Sequence, residues 1–331
     1  MIFAVAGSAG LLLAARWLRI DVPPAQFTAI AATPVAGRIE AAATVFMGIF
    51  LEAVPFLVFG VLVSACLQAL VPDQLLLRLL PRHPIPAALV GGLLGVLVPV
   101  CECGIVAVSR RLLRKGAPLP LAVALMLAGP VVNPIVLAST WVAFGGSLPF
   151  VVGRLGLVWA VAVVVALVLS RHPKPSELLA PALAASLTSG GDDAGARPSV
   201  GVVVRGAADE FVEMVRYLVV GAAFASVLQT FVSRSIVLAI AHDPALSVLA
   251  LMLLAVLLSV CSTVDAFVAL SFAGSFNAGA LLAFLAFGPM VDLKSILMYG
   301  TVLRRPVVAL LVVLCAQIVF LVAGCVGLRV D

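Results

Sequence analysis

The chain has 331 residues, of which 64% are hydrophobic and only 11% are charged, and its mean hydropathy is +1.27. Soluble domains carry about 25% charged residues, so this composition excludes an ordinary soluble protein and predicts an all-α polytopic membrane protein. Continuous apolar runs disfavour a membrane β-barrel, whose strands alternate. The net charge of +5 is too small and too scattered to indicate a nucleic-acid partner.

An apolar stretch, residues 1–15, begins the chain; no basic residue precedes it, and Arg16 and Arg19 follow it. A secretory signal carries its basic residues first, so residues 1–19 are predicted to form an N-terminal anchor helix that starts outside the cell. Apolar length predicts eight further spans, at residues 41–71, 85–108, 119–144, 148–170, 210–232, 245–268, 278–299 and 306–328.

These spans fall into two transmembrane groups of four, residues 40–170 and 205–329. Residues 171–204 between them are rich in proline, glycine, serine and aspartate, which predicts a flexible cytoplasmic linker. The basic run after residue 109 also falls in the cytoplasm, as the positive-inside rule requires. The pair Arg304–Arg305 is the main exception, because the same count of spans places it outside.

The two groups resemble each other in sequence. The segment FLEAVPFLVFG (50–60) aligns with FVEMVRYLVVG (211–221), which matches Glu52 with Glu213. Further along, Cys101 aligns with Cys261, and Gly129-Pro130 with Gly288-Pro289. This order predicts two pseudo-symmetric four-helix repeats with broken helices. Four crossings per repeat make the repeats parallel, whereas a re-entrant hairpin changes the count and allows inverted repeats.

One helix break is predicted at Gly-Pro-Val-Val-Asn-Pro, residues 129–134. Pro130 and Pro134 remove backbone donors inside an apolar segment, and Asn133 adds an amide there. The second repeat has Gly-Pro-Met-Val-Asp, which ends at Asp292. Both breaks are predicted to line a polar cavity. Lys294 is not expected to be a partner of Asp292, because residues two apart on a helix face different directions.

The carboxylates inside predicted spans include Glu52, Glu213 and Asp265. A carboxylate within a membrane is costly and commonly faces a cavity or relays protons or ions. Glu52 and Glu213, at equivalent positions, are therefore the predicted proton-coupling residues, and Asp265 is a further candidate.

The most informative motif is Pro-Val-Cys-Glu-Cys-Gly, residues 99–104. Residues two apart on a regular helix lie about 200° apart, so Cys101 and Cys103 converge only if Pro99 and Gly104 mark an unwound segment. Converging thiolates favour trivalent arsenic, Zn(II) or Cu(I), and any metal is expected on these two cysteines. Redox chemistry and apolar packing are the alternative uses of such a pair.

The stretch PVCECGIVAVSRRLLRKGAP (99–118), followed by GPVVNP (129–134), resembles the predicted permease family that includes bacterial organoarsenical efflux permeases. The resemblance covers most of the chain and implies an inner-membrane exporter with about eight core spans. It implies trivalent organoarsenicals as the exported solutes. The family's Cys-x-Cys-Gly falls on Cys101, Cys103 and Gly104, and its Pro-x-x-Asn-Pro element on Pro130, Asn133 and Pro134.

Together these features predict a proton-coupled secondary transporter of the bacterial inner membrane that exports a thiophilic small solute by alternating access. The chain contains no Walker A pattern, and neither enzymatic activity nor a cofactor is expected. The alternatives are a divalent or soft metal exporter, an intramembrane thiol oxidoreductase and a passive channel, and monomer and homodimer both stay open. The predicted substrate site contains Cys101, Glu102, Cys103, Gly104, Pro130, Asn133, Pro134, Cys261, Asp265 and Asp292.

Overall fold

A computed structural model describes residues 34–70, 80–81, 83–98, 100–172, 175–188, 200–231, 244–274 and 276–330. The predicted anchor helix, residues 1–19, lies outside these ranges. Contacts divide the chain into two units, Met1–Thr44 and Val45–Asp331. The described part of the first unit is the beginning of a helix, and the second unit contains all of the features that follow.

The described chain is helical, and long helices alternate with short ones. In chain order the helices are α1 (Pro34–Leu70), α2 (Pro84–Leu93), α3 (Glu102–Arg114), α4 (Leu119–Ala128), α5 (Pro134–Ala143), α6 (Leu148–Ser170), α7 (Pro181–Thr188), α8 (Val200–Phe231), α9 (Pro244–Leu258), α10 (Asp265–Leu270), α11 (Ala278–Met290), α12 (Leu293–Tyr299) and α13 (Arg305–Val330). Within the described ranges, five stretches are long and apolar enough to cross a membrane: Gly37–Leu70, Leu148–Ser170, Gly201–Thr230, Ala278–Tyr299 and Arg305–Gly327. The predicted all-α polytopic class is confirmed.

Helices α2 to α5 have between 10 and 13 residues each. At 1.5 Å per residue they are about 15–20 Å long, roughly half of a 30 Å hydrocarbon layer. Proline explains where two of these helices, α2 and α5, start. Pro84 and Pro134 occupy the first position of their helices, where a missing N–H removes no helical hydrogen bond.

Helices α2 and α3 form a hairpin that doubles back on itself. Gly91 of α2 packs against Leu121, and Gly95, in the 3-10 turn Leu94–Val96 that follows α2, packs against Gly129, so α2 runs parallel to α4. Ile105, near the start of α3, packs against Gly129 at the end of α4, so α3 runs antiparallel to α4. The chain therefore enters along α2 and leaves along α3 at the same end. The sequence predicted one span here, and the packing instead gives the re-entrant hairpin that the sequence left open.

Helices α9 and α10 repeat this arrangement in the second half. Helix α9 packs along α11, and their C-terminal ends lie together, with Ala255 beside Gly288. The two helices are therefore parallel. The chain leaves the end of α9 near Ser259 and must reach the start of α11 at Ala278. Helix α10 accordingly leads back toward the end from which α9 came.

Each half thus crosses the molecule three times, through a long helix, a broken helix and a second long helix. The crossings are α1, α4–α5 and α6 in the first half, and α8, α11–α12 and α13 in the second. An odd number of crossings reverses the direction of the second half relative to the first. This order of elements is the one expected of inverted repeats, an architecture found in many secondary transporters.

Basic residues collect at the end where α3 finishes, which we call the basic end. Helix α7 packs on α3 there, and the Leu178 carbonyl accepts a hydrogen bond from the Arg304 N–H at 2.9 Å. The sequence placed Arg304 and this linker on opposite sides of the membrane, which is wrong, because the α9–α10 hairpin removes one of the three crossings predicted between them. Eight described basic residues then lie at this end, which assigns it to the cytoplasm: Arg110, Arg111, Arg114, Lys115, Arg171, Arg205, Arg304 and Arg305.

Part of the predicted flexible linker is structured. The N–H of Ala180 donates to the Val302 carbonyl at 2.9 Å, and Leu178, Leu179 and Leu183 are buried. These contacts fix residues 178–183 against the short connection between α12 and α13. Residues 178–183 of the linker are therefore packed against the basic end of the protein.

Candidate functional site

The two hairpin breaks and the start of α12 meet in the interior and enclose a small pocket. Helix α1 contributes Glu52, the break before α3 contributes Cys101 and Glu102, and the break after α9 contributes Cys261. The remaining lining residues are Ile49, Ala53 and Lys294. Both repeats therefore supply side chains to one pocket, as in transporters that bind substrate at a repeat interface.

Two cysteines, one from each repeat, line this pocket. Cys101 precedes α3 with an extended backbone, so it does not follow the helical spacing that separates it from Cys103. Cys101 and Cys261 line the pocket and Cys103 does not, and all three cysteines are buried and free. The backbone is extended at residue 101, whereas Gly104, which the sequence predicted to mark the unwound segment, is helical and belongs to α3. The structure also brings in Cys261 from the other repeat.

A buried charge cluster lies beside the thiols. The Lys294 ammonium is 3.4 Å from Glu102 Oε1 and 3.3 Å from Asp292 Oδ2, and it donates to the Ser259 carbonyl at 2.9 Å. Lys294, Glu102 and Asp292 are each 2% exposed. The expectation that Lys294 does not pair with Asp292 is wrong, because Asp292 is the extended N-cap of α12 and not a helical residue.

Ser259 is held in a strained conformation at the second break. Its φ angle is 45°, in the left-handed region that L-residues other than asparagine and aspartate seldom occupy. The residue is buried, and its carbonyl accepts the Lys294 hydrogen bond. Such strain persists only where the surroundings impose it, and it is common at binding sites.

Asn133 and Asp292 play equivalent structural roles in the two broken helices. Asn133 Oδ1 accepts a hydrogen bond from the Ile135 N–H at 2.9 Å, and Asp292 Oδ1 accepts one from the Ser295 N–H at 2.6 Å. Each side chain therefore caps the second half of its helix. Pro130, Asn133 and Pro134 shape the break between α4 and α5 but are not among the residues that line the pocket.

Asp265 belongs to a second buried ion pair. Its Oδ2 is 2.6 Å from Nη2 of Arg154, whose Nη1 donates to Thr140 Oγ1 at 2.7 Å. The pair joins α6 of the first repeat to α10 of the second. Asp265 therefore lies next to the pocket but is bound to an arginine, and it does not line the pocket.

Glu213 lies away from the pocket, toward the basic end. It pairs with Arg110 at 2.9 Å, and its neighbour Glu210 pairs with Arg111 at 3.3 Å. Ser64 of α1 donates to the same Glu210 oxygen at 3.0 Å. The two predicted proton-coupling carboxylates thus occupy different environments: Glu52 faces the pocket, and Glu213 joins α8 to α3.

Gly104 does not line the pocket, but its lack of a side chain allows the pocket to form. A Cβ atom at Gly60 of α1 would lie 2.3 Å from the Gly104 Cα atom, so the two helices touch backbone to backbone. This contact requires glycine on both helices. It brings the Cys101–Glu102 break alongside α1.

Sequence reasoning missed the cations of this site. Lys294, Arg154, Arg110 and Arg111 each pair with a buried or half-buried carboxylate. A signal was available for Arg154 at least, since an arginine in the middle of a predicted span is as costly there as a carboxylate. The rule that selected Glu52 and Asp265 selects Arg154 as well.

Metal-binding geometry is not present in the part of the chain that the structure describes. No group of three or more histidine, cysteine, aspartate or glutamate side chains there is arranged to hold a metal ion.

An inverted-repeat membrane protein with a polar site between its repeats is a membrane transporter by class. Residues 38–328 match the model of ArsP_1, a predicted permease family, and the chain belongs to that family. It is 41% identical over 277 residues to the UPF0718 protein YcgR of Bacillus subtilis, covering 81% of this chain and 91% of that protein.

A second relative is the putative two-component membrane permease complex subunit of Streptococcus mutans. It is 32% identical over 263 residues, covering 77% of this chain and 84% of that protein. No solved structure matches the chain. The protein is a multi-pass permease, with a topology that suits the bacterial cytoplasmic membrane, and it is not an enzyme.

Proposed function

We propose that this permease exports a thiophilic solute of the trivalent organoarsenical class by alternating access, in exchange for protons. The observation that carries the proposal is that Cys101 and Cys261, one from each repeat, line the same pocket. Soft thiolate ligands suit a soft, thiophilic centre. Because the thiols come from both repeats, a solute bound to them responds to any movement of one repeat against the other.

Ion pairs at the basic end support alternating access. Arg110–Glu213 and Arg111–Glu210 tie α3 to α8 between the pocket and the cytoplasm. The alignment of Cys101 with Cys261 carries Arg110 to Leu270 at the opposite end, where no equivalent ion pair is possible. This asymmetry suits a state that is closed to the cytoplasm, and breaking these pairs would open the pocket to the cytoplasm.

Transport into everted membrane vesicles tests the proposal, with phenylarsenous acid as the probe. We expect wild type to accumulate it, and Cys101→Ser/Cys103→Ser and Cys261→Ser to lose at least about tenfold in rate, the equivalent of 1.4 kcal/mol. Cys66→Ser and Cys325→Ser are matched controls, because both cysteines are exposed and away from the pocket. Unchanged accumulation in the pocket variants would overturn the role of the thiols.

A protein partner is part of the proposal. The Streptococcus mutans relative is named as a subunit of a two-component permease complex, which motivates a search for a second subunit here. Chemical cross-linking in native membranes, followed by mass spectrometry of the purified permease, tests this directly. A single stoichiometric partner would support a complex, and recovery of the permease alone or as a homodimer would contradict it.

A further inference from the structure

Glu102 is a carboxylate with only one of its two oxygens engaged. It is 2% exposed, and its Oε1 is 3.4 Å from the Lys294 ammonium. Its Oε2 is buried and has no hydrogen-bond partner, although the side chain lines the pocket. A bare, buried carboxylate oxygen carries a large desolvation cost. The geometry therefore favours a proton or a cation at Oε2.

Lys294 is bonded mainly within its own repeat. Its contacts with the Ser259 carbonyl at 2.9 Å and with Asp292 at 3.3 Å both lie in the second repeat. Glu102 is the partner from the first repeat, and its distance of 3.4 Å is the longest of the three. Lys294 therefore keeps two acceptors when Glu102 loses its charge. The Glu102–Lys294 pair is thus a contact between the repeats that can be broken while the Lys294 ammonium keeps other acceptors.

We propose that Glu102 carries the coupling proton, and that protonation breaks its ion pair with Lys294 so that the first hairpin can move relative to α12. This inference rests on the proposed function and adds the residue through which protons act. A proton from the pocket binds Oε2 and converts Glu102 into a neutral acid. Lys294 stays with Asp292 and Ser259. Release of the same proton on the other side of the membrane restores the ion pair.

The charges around Glu102 agree with this role. Glu52 faces it from α1, Asp292 and Lys294 face it from α12, and the Cys261 thiol faces it from the second break. The neighbouring Asp265 has its own arginine, at 2.6 Å. Three carboxylates against one ammonium make the pocket attractive to positive charge. Glu52, which is half-buried in the pocket wall, is positioned to pass a proton to Glu102.

Proteoliposomes with a trapped pH-sensitive dye test the inference. On addition of phenylarsenous acid, wild type is expected to move protons. Glu102→Gln is expected to lose at least about tenfold in proton flux while it still exchanges phenylarsenous acid across the membrane. Asp209→Asn, which removes an exposed carboxylate of α8 that does not line the pocket, is the control and retains proton flux. Wild-type proton flux in Glu102→Gln would overturn the role of Glu102 and leave the proposed function standing.

A second measurement does not depend on the transported solute. Infrared difference spectra of the purified protein between low and high pH report protonated carboxyl groups by their C=O stretch. We expect one carboxyl band that disappears in Glu102→Gln and shifts in Lys294→Gln, because the lysine is the charge that faces it. Bands unchanged in Glu102→Gln would overturn the inference. Absence of proton flux in wild type, with phenylarsenous acid exchange intact, would instead remove proton coupling from the proposed function.

Discussion

The ion pair between Arg154 and Asp265 provides the sharpest test of the packing between the repeats. Arg154 is fully buried, and its guanidinium bonds to Asp265 Oδ2 at 2.6 Å, to Thr140 Oγ1 at 2.7 Å and to the Ser262 carbonyl at 3.4 Å. Arg154→Met keeps most of the side-chain volume and removes the charge. It leaves Asp265 buried without its cation, in a place where water cannot replace the lost partner.

The magnitude follows from that isolated charge. Removing one partner of a buried ion pair costs about 3–5 kcal/mol, whereas replacing both partners by apolar residues is often neutral or stabilising. Arg154→Met is therefore expected to lower the free energy of unfolding by about 3–5 kcal/mol, and Asp265→Leu by a similar amount. The double variant is expected to be more stable than either single one, so the coupling energy between the two sites exceeds about 2 kcal/mol.

Equilibrium unfolding in mixed micelles, followed by circular dichroism, measures these differences. Arg171→Met is the matched control, because Arg171 is exposed at the end of α6, and it should change stability by no more than about 0.5 kcal/mol. Additive losses in the double variant, or a loss below about 1 kcal/mol in Arg154→Met, would show that the two groups are not a buried pair.

Three further predictions concern the helix contact, the cap and the basic end. Gly60→Ala places a Cβ atom 2.3 Å from the Gly104 Cα atom and should lower the free energy of unfolding by at least about 1–3 kcal/mol; an unchanged denaturation midpoint would contradict the backbone contact. Asn133→Ala should cost about 1 kcal/mol through the lost cap, and Asn133→Asp much less; equal transport defects in both variants would instead indicate a substrate ligand. Arg110→Glu and Glu213→Arg alone should raise the labelling of a pocket cysteine by an impermeant maleimide from the cytoplasmic side, and the double variant should restore protection. Equal labelling in all three would refute closure by this pair.

Composition and internal similarity predicted the class of this protein and its duplication. The matches of Glu52 with Glu213 and of Cys101 with Cys261 identified equivalent segments, because polar residues are rare enough in an apolar chain to align it. Proline and asparagine at residues 130–134 likewise predicted a broken helix, since proline removes helical hydrogen bonds whatever surrounds it. These signals depend only on local sequence, and the structure contains the helix break that they predict.

Long-range geometry could not be predicted in the same way. Residues 85–108 are apolar over the length of a span, and hydropathy cannot distinguish a crossing helix from a hairpin of two half-helices. This ambiguity accounts for the wrong number of predicted crossings and for the wrong side of the membrane predicted for Arg304. The pairs Glu102–Lys294 and Arg154–Asp265 join the two repeats, so neither partner is visible from the sequence around the other.

Cross-linking Cys101 to Cys261 tests whether the breaks of the two hairpins meet at one site in the protein. A variant retains only these two cysteines and carries a protease site between residues 188 and 200, so that cleavage separates the repeats. After treatment with a short bifunctional thiol reagent and protease, the repeats should stay covalently joined on a denaturing gel. A matched variant that retains Cys101 and Cys315, which lies on α13, should fall into two fragments. Two fragments from the Cys101–Cys261 protein would contradict the account.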